Sequence, residues 1–108
     1  MSTKRVYVYD DGSGELRVWP IARVVKRGNE VEIVNTTDSE VRWRHAESTV
    51  YGEPIDENIK KQKRGPKTKV KGKGPKTVSY QVDSVPSSRT SGKRRKRDSS
   101  DPVIIIET

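Results

Sequence analysis

Apolar and polar residues alternate with a period of two through the first half of the chain, and no stretch of about eleven residues carries the i, i+3, i+4, i+7 stripe of an amphipathic helix. The pattern predicts a β protein. Val6-Tyr7-Val8-Tyr9 reads as a first strand, closed by the small and turn-forming residues Asp10-Asp11-Gly12-Ser13-Gly14. Leu16, Val18 and the run Ile21 to Val25 supply apolar positions on both sides of Pro20. That proline cannot donate to a ladder, so it marks a sheet edge or a break.

Lys26-Arg27-Gly28-Asn29-Glu30 separates two strand-like runs and holds residues that tolerate positive φ, as a tight hairpin requires. Beyond it lies the clearest strand, with Val31, Ile33 and Asn35 on one face and Glu30, Glu32 and Val34 on the other. A polar turn, Asn35 to Ser39, leads to Val41, Trp43 and His45 alternating with Glu40, Arg42 and Arg44. The expectation is that 30–35 and 40–46 pair antiparallel, with the Trp43 face toward the core.

The pattern fades from Glu47 to Asn58, where Val50, Tyr51, Pro54, Ile55 and Ile59 would cover one end of a sheet as a loop, with a short helical turn from Pro54 to Lys61. Gly65-Pro66 and Gly74-Pro75 bracket a lysine-rich strand, Lys67 to Lys71, of the kind that protects a sheet edge from pairing with another chain. Thr77 to Val82 alternates again, and Pro102 to Glu107 is an almost wholly apolar last strand, expected to be buried on nearly both faces. Between them Pro86 to Asp101, rich in Ser, Arg and Lys, predicts a mobile loop. These elements make about seven strands in one domain over residues 1–108, enough for an antiparallel Greek-key β-sandwich.

Composition changes this picture in two ways. The apolar fraction of 29% is low against the roughly 45–50% of ordinary globular chains, so part of the sequence is expected outside any core. With no Cys there is no disulfide and no thiolate nucleophile or metal ligand, which removes blue copper, iron–sulfur and common structural zinc chemistry. Neither a secretory h-region nor a run of roughly 20 apolar residues is visible, and a soluble, cytoplasmic protein with no membrane partner is expected.

At this point the layout resembles a cupredoxin-like domain. The likeness runs over about residues 5 to 107 and rests on Val24 to Asn35 with the turn residues Thr36-Thr37, the Ser79-Tyr80-Gln81-Val82 strand and the closing Pro102 to Ile106. It implies a Greek-key sandwich of seven or eight strands. The family's type 1 copper ligands do not carry over. No His lies between Asn35 and Val41, Asp83 stands near the place expected for Cys, no His follows it, and Met1 is the sole Met. Where the ligand loop would be, this chain has an arginine-rich loop. The resemblance therefore argues for the scaffold and against electron transfer, with no cofactor.

Charge supplies the candidate function. Residues 1–57 hold eight Lys/Arg against eleven Asp/Glu, and residues 58–108 hold fifteen against four, so the net +8 comes from the second half. Two blocks carry it: Lys60, Lys61, Lys63, Arg64, Lys67, Lys69, Lys71, Lys73 and Lys76, and then Arg89, Lys93, Arg94, Arg95, Lys96 and Arg97. Such asymmetry points to a polyanionic partner rather than an enzyme pocket. Lysine acts as a point charge without the planar fork that reads bases, so contact would be to nucleic-acid backbone with little sequence specificity. Residues Lys93 to Arg97 could alternatively form an import-like address, a dibasic processing site before Asp98-Ser99-Ser100, or a solvated loop. The competing function is a structural or protein-interaction domain that docks an acidic protein surface.

Other chemistry finds little support. His45 is the sole imidazole, and Glu47 offers no convergent third metal ligand. No Gly-x-Ser-x-Gly, Gly-x-Gly-x-x-Gly or P-loop motif occurs, so no catalytic residue is assigned. The six aromatics lie mostly in alternating strands and are expected to be core, with Tyr9, Trp19 and Tyr51 the ones whose exposure would favour base stacking.

Overall fold

A computed structural model describes residues 2–13, 15–85 and 101–107. Among these, every regular element is a strand: β1 (Thr3–Asp10), β2 (Leu16–Trp19), β3 (Ala22–Val25), β4 (Glu30–Asn35), β5 (Val41–His45), β6 (Ile55–Ile59), β7 (Thr68–Lys69), β8 (Lys76–Ser79), β9 (Gln81–Ser84) and β10 (Val103–Ile106). They form a four-stranded sheet, β2-β1-β4-β7, and two three-stranded sheets, β3-β10-β8 and β6-β5-β9. No helix is long and apolar enough to cross a membrane among the described residues.

The inward face follows the alternation in β4 and β5, whereas in β1 the valines rather than the tyrosines turn inward and Glu32 of β4 is buried despite lying on the face expected to be wet. Val6 and Val8 of β1, Val31 and Ile33 of β4, Val41 and Trp43 of β5 and Ile104 and Ile106 of β10 are all fully buried. These meet Leu16, Val25, Val78 and Val82 in one core. Every sheet contributes to it, so each presents one face inward and leaves the other to water. The result is an all-β, cupredoxin-like sandwich.

Pairing partners differ from the sequence expectation, and each difference is a change of sheet. Pro20 does break a run: β2 pairs antiparallel with β1, whereas β3 pairs parallel with β10. The Lys26–Glu30 turn is real, with Gly28 at φ 95° and the Asn29 amide donating to the Lys26 carbonyl at 3.0 Å. It makes no hairpin. Instead it hands the chain from β3 to β4, which lies parallel to β1 with Thr3 opposite Glu30 and Val8 opposite Asn35. The parallel pair is closed by a crossover through β2 and β3, as parallel neighbours require.

The expected antiparallel pairing of 30–35 with 40–46 is likewise corrected. β5 pairs with β6 and β9, and β4 with β1 and β7. Asn35 explains why the connection crosses between sheets. Its buried Nδ2 donates to the carbonyls of Ser39 (2.8 Å), Ile59 (3.1 Å) and Lys60 (3.2 Å), while its Oδ1 accepts from the Thr37 amide and hydroxyl. That bracket holds the end of β4 against the end of β6 and redirects the chain.

Three further expectations change. Residues 55–59 form a strand paired to β5 rather than a helical turn. The stretch 77–82 divides at Tyr80 into β8 and β9, which lie in different sheets, so the described residues form ten strands where about seven were expected. Finally, β10 is buried on the Ile104 and Ile106 face but half-exposed at Val103 and Ile105. The loop expected at 86–101 lies outside the described residues, apart from Asp101.

Candidate nucleic-acid interface

The chain leaves β6 at Ile59 and turns through Lys60 to Lys63, with the Lys63 amide donating to the Lys60 carbonyl at 3.2 Å. Gln62 occupies a left-handed conformation, φ 57°, and its Nε2 donates to the carbonyls of Thr36 (2.8 Å) and Thr37 (2.9 Å). With Gln62 fastened to the Thr36-Thr37 turn, Lys60, Lys61 and Lys63 are exposed.

From there the backbone runs along β4 as an irregular outer strand. The Asn35 amide donates to the Lys63 carbonyl (2.9 Å), Val34 bridges antiparallel to Arg64, the Gly65 amide donates to Ile33 (2.8 Å), and Thr68–Lys69 pair with Val31 and Glu30. The predicted lysine-rich edge strand is therefore present, though only two residues form regular ladder. Lys63, Arg64, Lys67 and Lys69 thus lie along one edge of the four-stranded sheet, with Lys60 and Lys61 in the turn that leads into it. Lys71 and Lys73 continue away from it, because the Lys71 and Gly72 amides both donate to the Val50 carbonyl. Near Lys73 the structure adds Lys26 and Arg27, whose place in the turn between β3 and β4 gives no sequence sign of this proximity. Arg89 and Lys93 to Arg97 lie outside the described residues.

The edge is only partly neutralised. Glu32, whose side chain is 4% exposed, accepts from Arg5 Nε at 3.0 Å and sits 3.8 Å from Arg64 Nη1, so two guanidinium groups share one carboxylate. At the far edge Arg17 is engaged by Asp11 (2.8 Å) and Glu15 (3.1 Å), and hydrogen bonds from Ser13 and Arg17 hold the Asp11 carboxyl well below its ordinary range.

The aromatics divide evenly instead of falling mostly in the core. Trp43, Tyr51 and Tyr80 are buried, whereas Trp19 is 60%, Tyr9 38% and Tyr7 36% exposed. The signal was in the alternation: Tyr7 and Tyr9 occupy the outward positions that alternate with the inward Val6 and Val8. Tyr51, by contrast, packs edge-on against Trp43 and His45.

His45 lies 1% exposed inside that aromatic group, and burial pushes its pKa down to about 4. A cavity of about 340 Å³ borders it, lined also by Arg44, Tyr80, Gln81 and Asp101. A copper centre, which a cupredoxin fold would imply, does not fit these residues. The chain has no Cys and one His, that His is enclosed by aromatic rings, and no three His, Cys, Asp or Glu side chains are grouped to hold a metal among the described residues.

Fold and donor set together define a cupredoxin-like sandwich without the type 1 copper ligands. No family model matches the sequence, and no curated protein matches it. Among solved structures, the chain is similar to a novel purple cupredoxin from Nitrosopumilus maritimus, with a TM-score of 0.59 over 95% of this chain and 98% of that one. Identity is 11%, so the likeness is one of fold.

Proposed function

We propose that this domain is a non-catalytic binding module whose basic edge contacts the phosphate backbone of nucleic acid with little sequence specificity. The observation that carries the reading is that Lys63, Arg64, Lys67 and Lys69 follow one exposed sheet edge and Lys60 and Lys61 stand exposed in the turn leading into it, so that these six cations form one stripe. A phosphate chain is a line of negative charge, and each lysine that meets it releases counterions. Lysine heads on flexible stems suit that contact better than base reading. A segment spanning 86–100 brings six more cations to the same chain.

The test is a titration of labelled single- and double-stranded oligonucleotides, with an acidic protein as control, at about 50 and 200 mM salt. Micromolar or tighter binding to nucleic acid, lost steeply at the higher salt and absent for the control, supports the reading. Binding to the acidic protein alone would replace it with a protein-docking role.

A further inference from the structure

We infer that the outer face of the four-stranded sheet is a stacking platform for unpaired bases, so that the nucleic acid held by the basic edge is single-stranded; this rests on the function proposed above. The register sets four residues side by side, with Trp19 of β2 opposite Tyr7 of β1, Tyr7 opposite Val34 of β4, and Val34 opposite Arg64, which bridges to β4 ahead of β7. Directly opposed residues share a sheet face, and at ordinary strand spacing the row is about 14 Å long.

The two ends of the row differ in chemistry. At one end the exposed rings of Trp19 and Tyr7 lie with centroids 6.4 Å apart and planes 36° from parallel. At the other, Arg64 joins the lysine edge. A single strand can lay its bases on the rings while its phosphates follow the cations. A duplex cannot, because its base faces are already stacked on one another. An acidic protein would satisfy the lysines but leave the rings without a matching surface.

Direction follows from the acids. Tyr9 extends the aromatic surface along β1, but it stands opposite Arg17, which Asp11 and Glu15 already engage. That corner repels phosphate, so the backbone is steered from Trp19 toward Arg64 and Lys67.

Tryptophan fluorescence reads this directly, since the other indole, Trp43, is fully buried. The probes are oligodeoxythymidine of about 15 nucleotides and a hairpin duplex at about 50 mM salt. We expect oligodeoxythymidine to quench Trp19, and Trp19→Ala and Tyr7→Ala each to weaken its binding about tenfold while leaving duplex binding unchanged. The double variant Lys67→Glu/Lys69→Glu should weaken both probes. All four side chains are exposed or at an edge, and an unchanged thermal midpoint checks that the variants fold. Wild-type affinity for oligodeoxythymidine in both aromatic variants, with loss in the lysine variant, would overturn the platform and leave backbone binding standing. Binding of neither probe by the wild type would overturn both. A dimer in sedimentation that Trp19→Ala dissociates, with no quenching by oligodeoxythymidine, would reassign the face to self-association.

Discussion

The imidazole of His45 lies flat against the ring of Tyr80, with centroids 4.8 Å apart and planes 19° from parallel. Tyr51 and Trp43 close over it edge-on, at 4.9 and 5.5 Å. Neither ring nitrogen of His45 has a hydrogen-bond partner among the described residues, and the same is true of the Tyr51 and Tyr80 hydroxyls and the Trp43 indole nitrogen. The group is held by packing and aromatic contact rather than by a polar network. Burial accordingly favours the uncharged form of each member, pushing the two phenols far up and the imidazole down.

That depression makes stability depend on pH in a defined window. In the unfolded chain His45 takes up a proton near pH 6.5, whereas in the fold it does so only near 4. Above 6.5 both states are neutral and the dependence vanishes. Between 6.5 and 4 the unfolded state binds more protons, so stability falls as pH falls, by about 3 kcal/mol at the bottom of the window. Urea midpoints measured from pH 7.5 to 5 should decline in the wild type, and His45→Phe should flatten the decline. A wild type with no slope there would show that the imidazole is not desolvated.

The Asn35 bracket predicts sensitivity to polarity at constant shape. Asn35→Asp keeps the volume but replaces the amide donor, which faces three carbonyl oxygens, with a carboxylate that can only accept. The loss should be about 3 kcal/mol or more at neutral pH, because carbonyls at a buried site lose their donor and meet a charge. Chemical denaturation measures it; a loss as small as that of an ordinary surface substitution would mean the bracket is dispensable.

A glycine fixes the path of the lysine-bearing strand. A Cβ at Gly72 would collide with the carbonyl oxygen of Thr49, a backbone atom that cannot move aside as a side chain would. Gly72→Ala should therefore destabilise the fold by about 1–3 kcal/mol. Gly28→Ala meets no atom within 4 Å and is penalised only for its φ of 95°, so it should cost less. Thermal midpoints of the two variants should fall in that order.

The sequence disclosed burial far better than pairing. A period of two states which residues share a face, and Val31, Ile33, Val41 and Trp43 turned inward as read; it does not say which face is inward, so in β1 Val6 and Val8 are core although the tyrosines were expected there, and Glu32 is buried on the face read as wet. It does not state which strand lies alongside, so Gly28-Asn29 read as a hairpin although the turn joins different sheets. Ile55 and Ile59 are four apart, a spacing that suits a helical turn as well as a strand, and only pairing with β5 decides it. The basic edge was legible because charge needs no topology to be counted. Its aromatic counterpart was not, since the row from Trp19 to Arg64 draws on strands far apart in sequence.

Glu32 offers a test in which affinity and stability move in opposite directions. Its carboxylate is shared by Arg5 and Arg64 on the face proposed to bind nucleic acid, and it is the acid nearest the cationic end of the row. Glu32→Gln keeps the side chain's shape and an acceptor for Arg5 but removes one negative charge. The two guanidinium groups, 42% and 63% exposed, are then free to meet phosphate. Oligodeoxythymidine binding at about 50 mM salt should tighten severalfold, and its salt dependence should steepen by up to about one counterion. Stability should fall by about 1 kcal/mol, since a charged pair with exposed partners is worth little more. A variant that is less stable yet binds more tightly cannot be explained by partial unfolding. Unchanged or weaker binding would place the phosphate path away from Arg5 and Arg64.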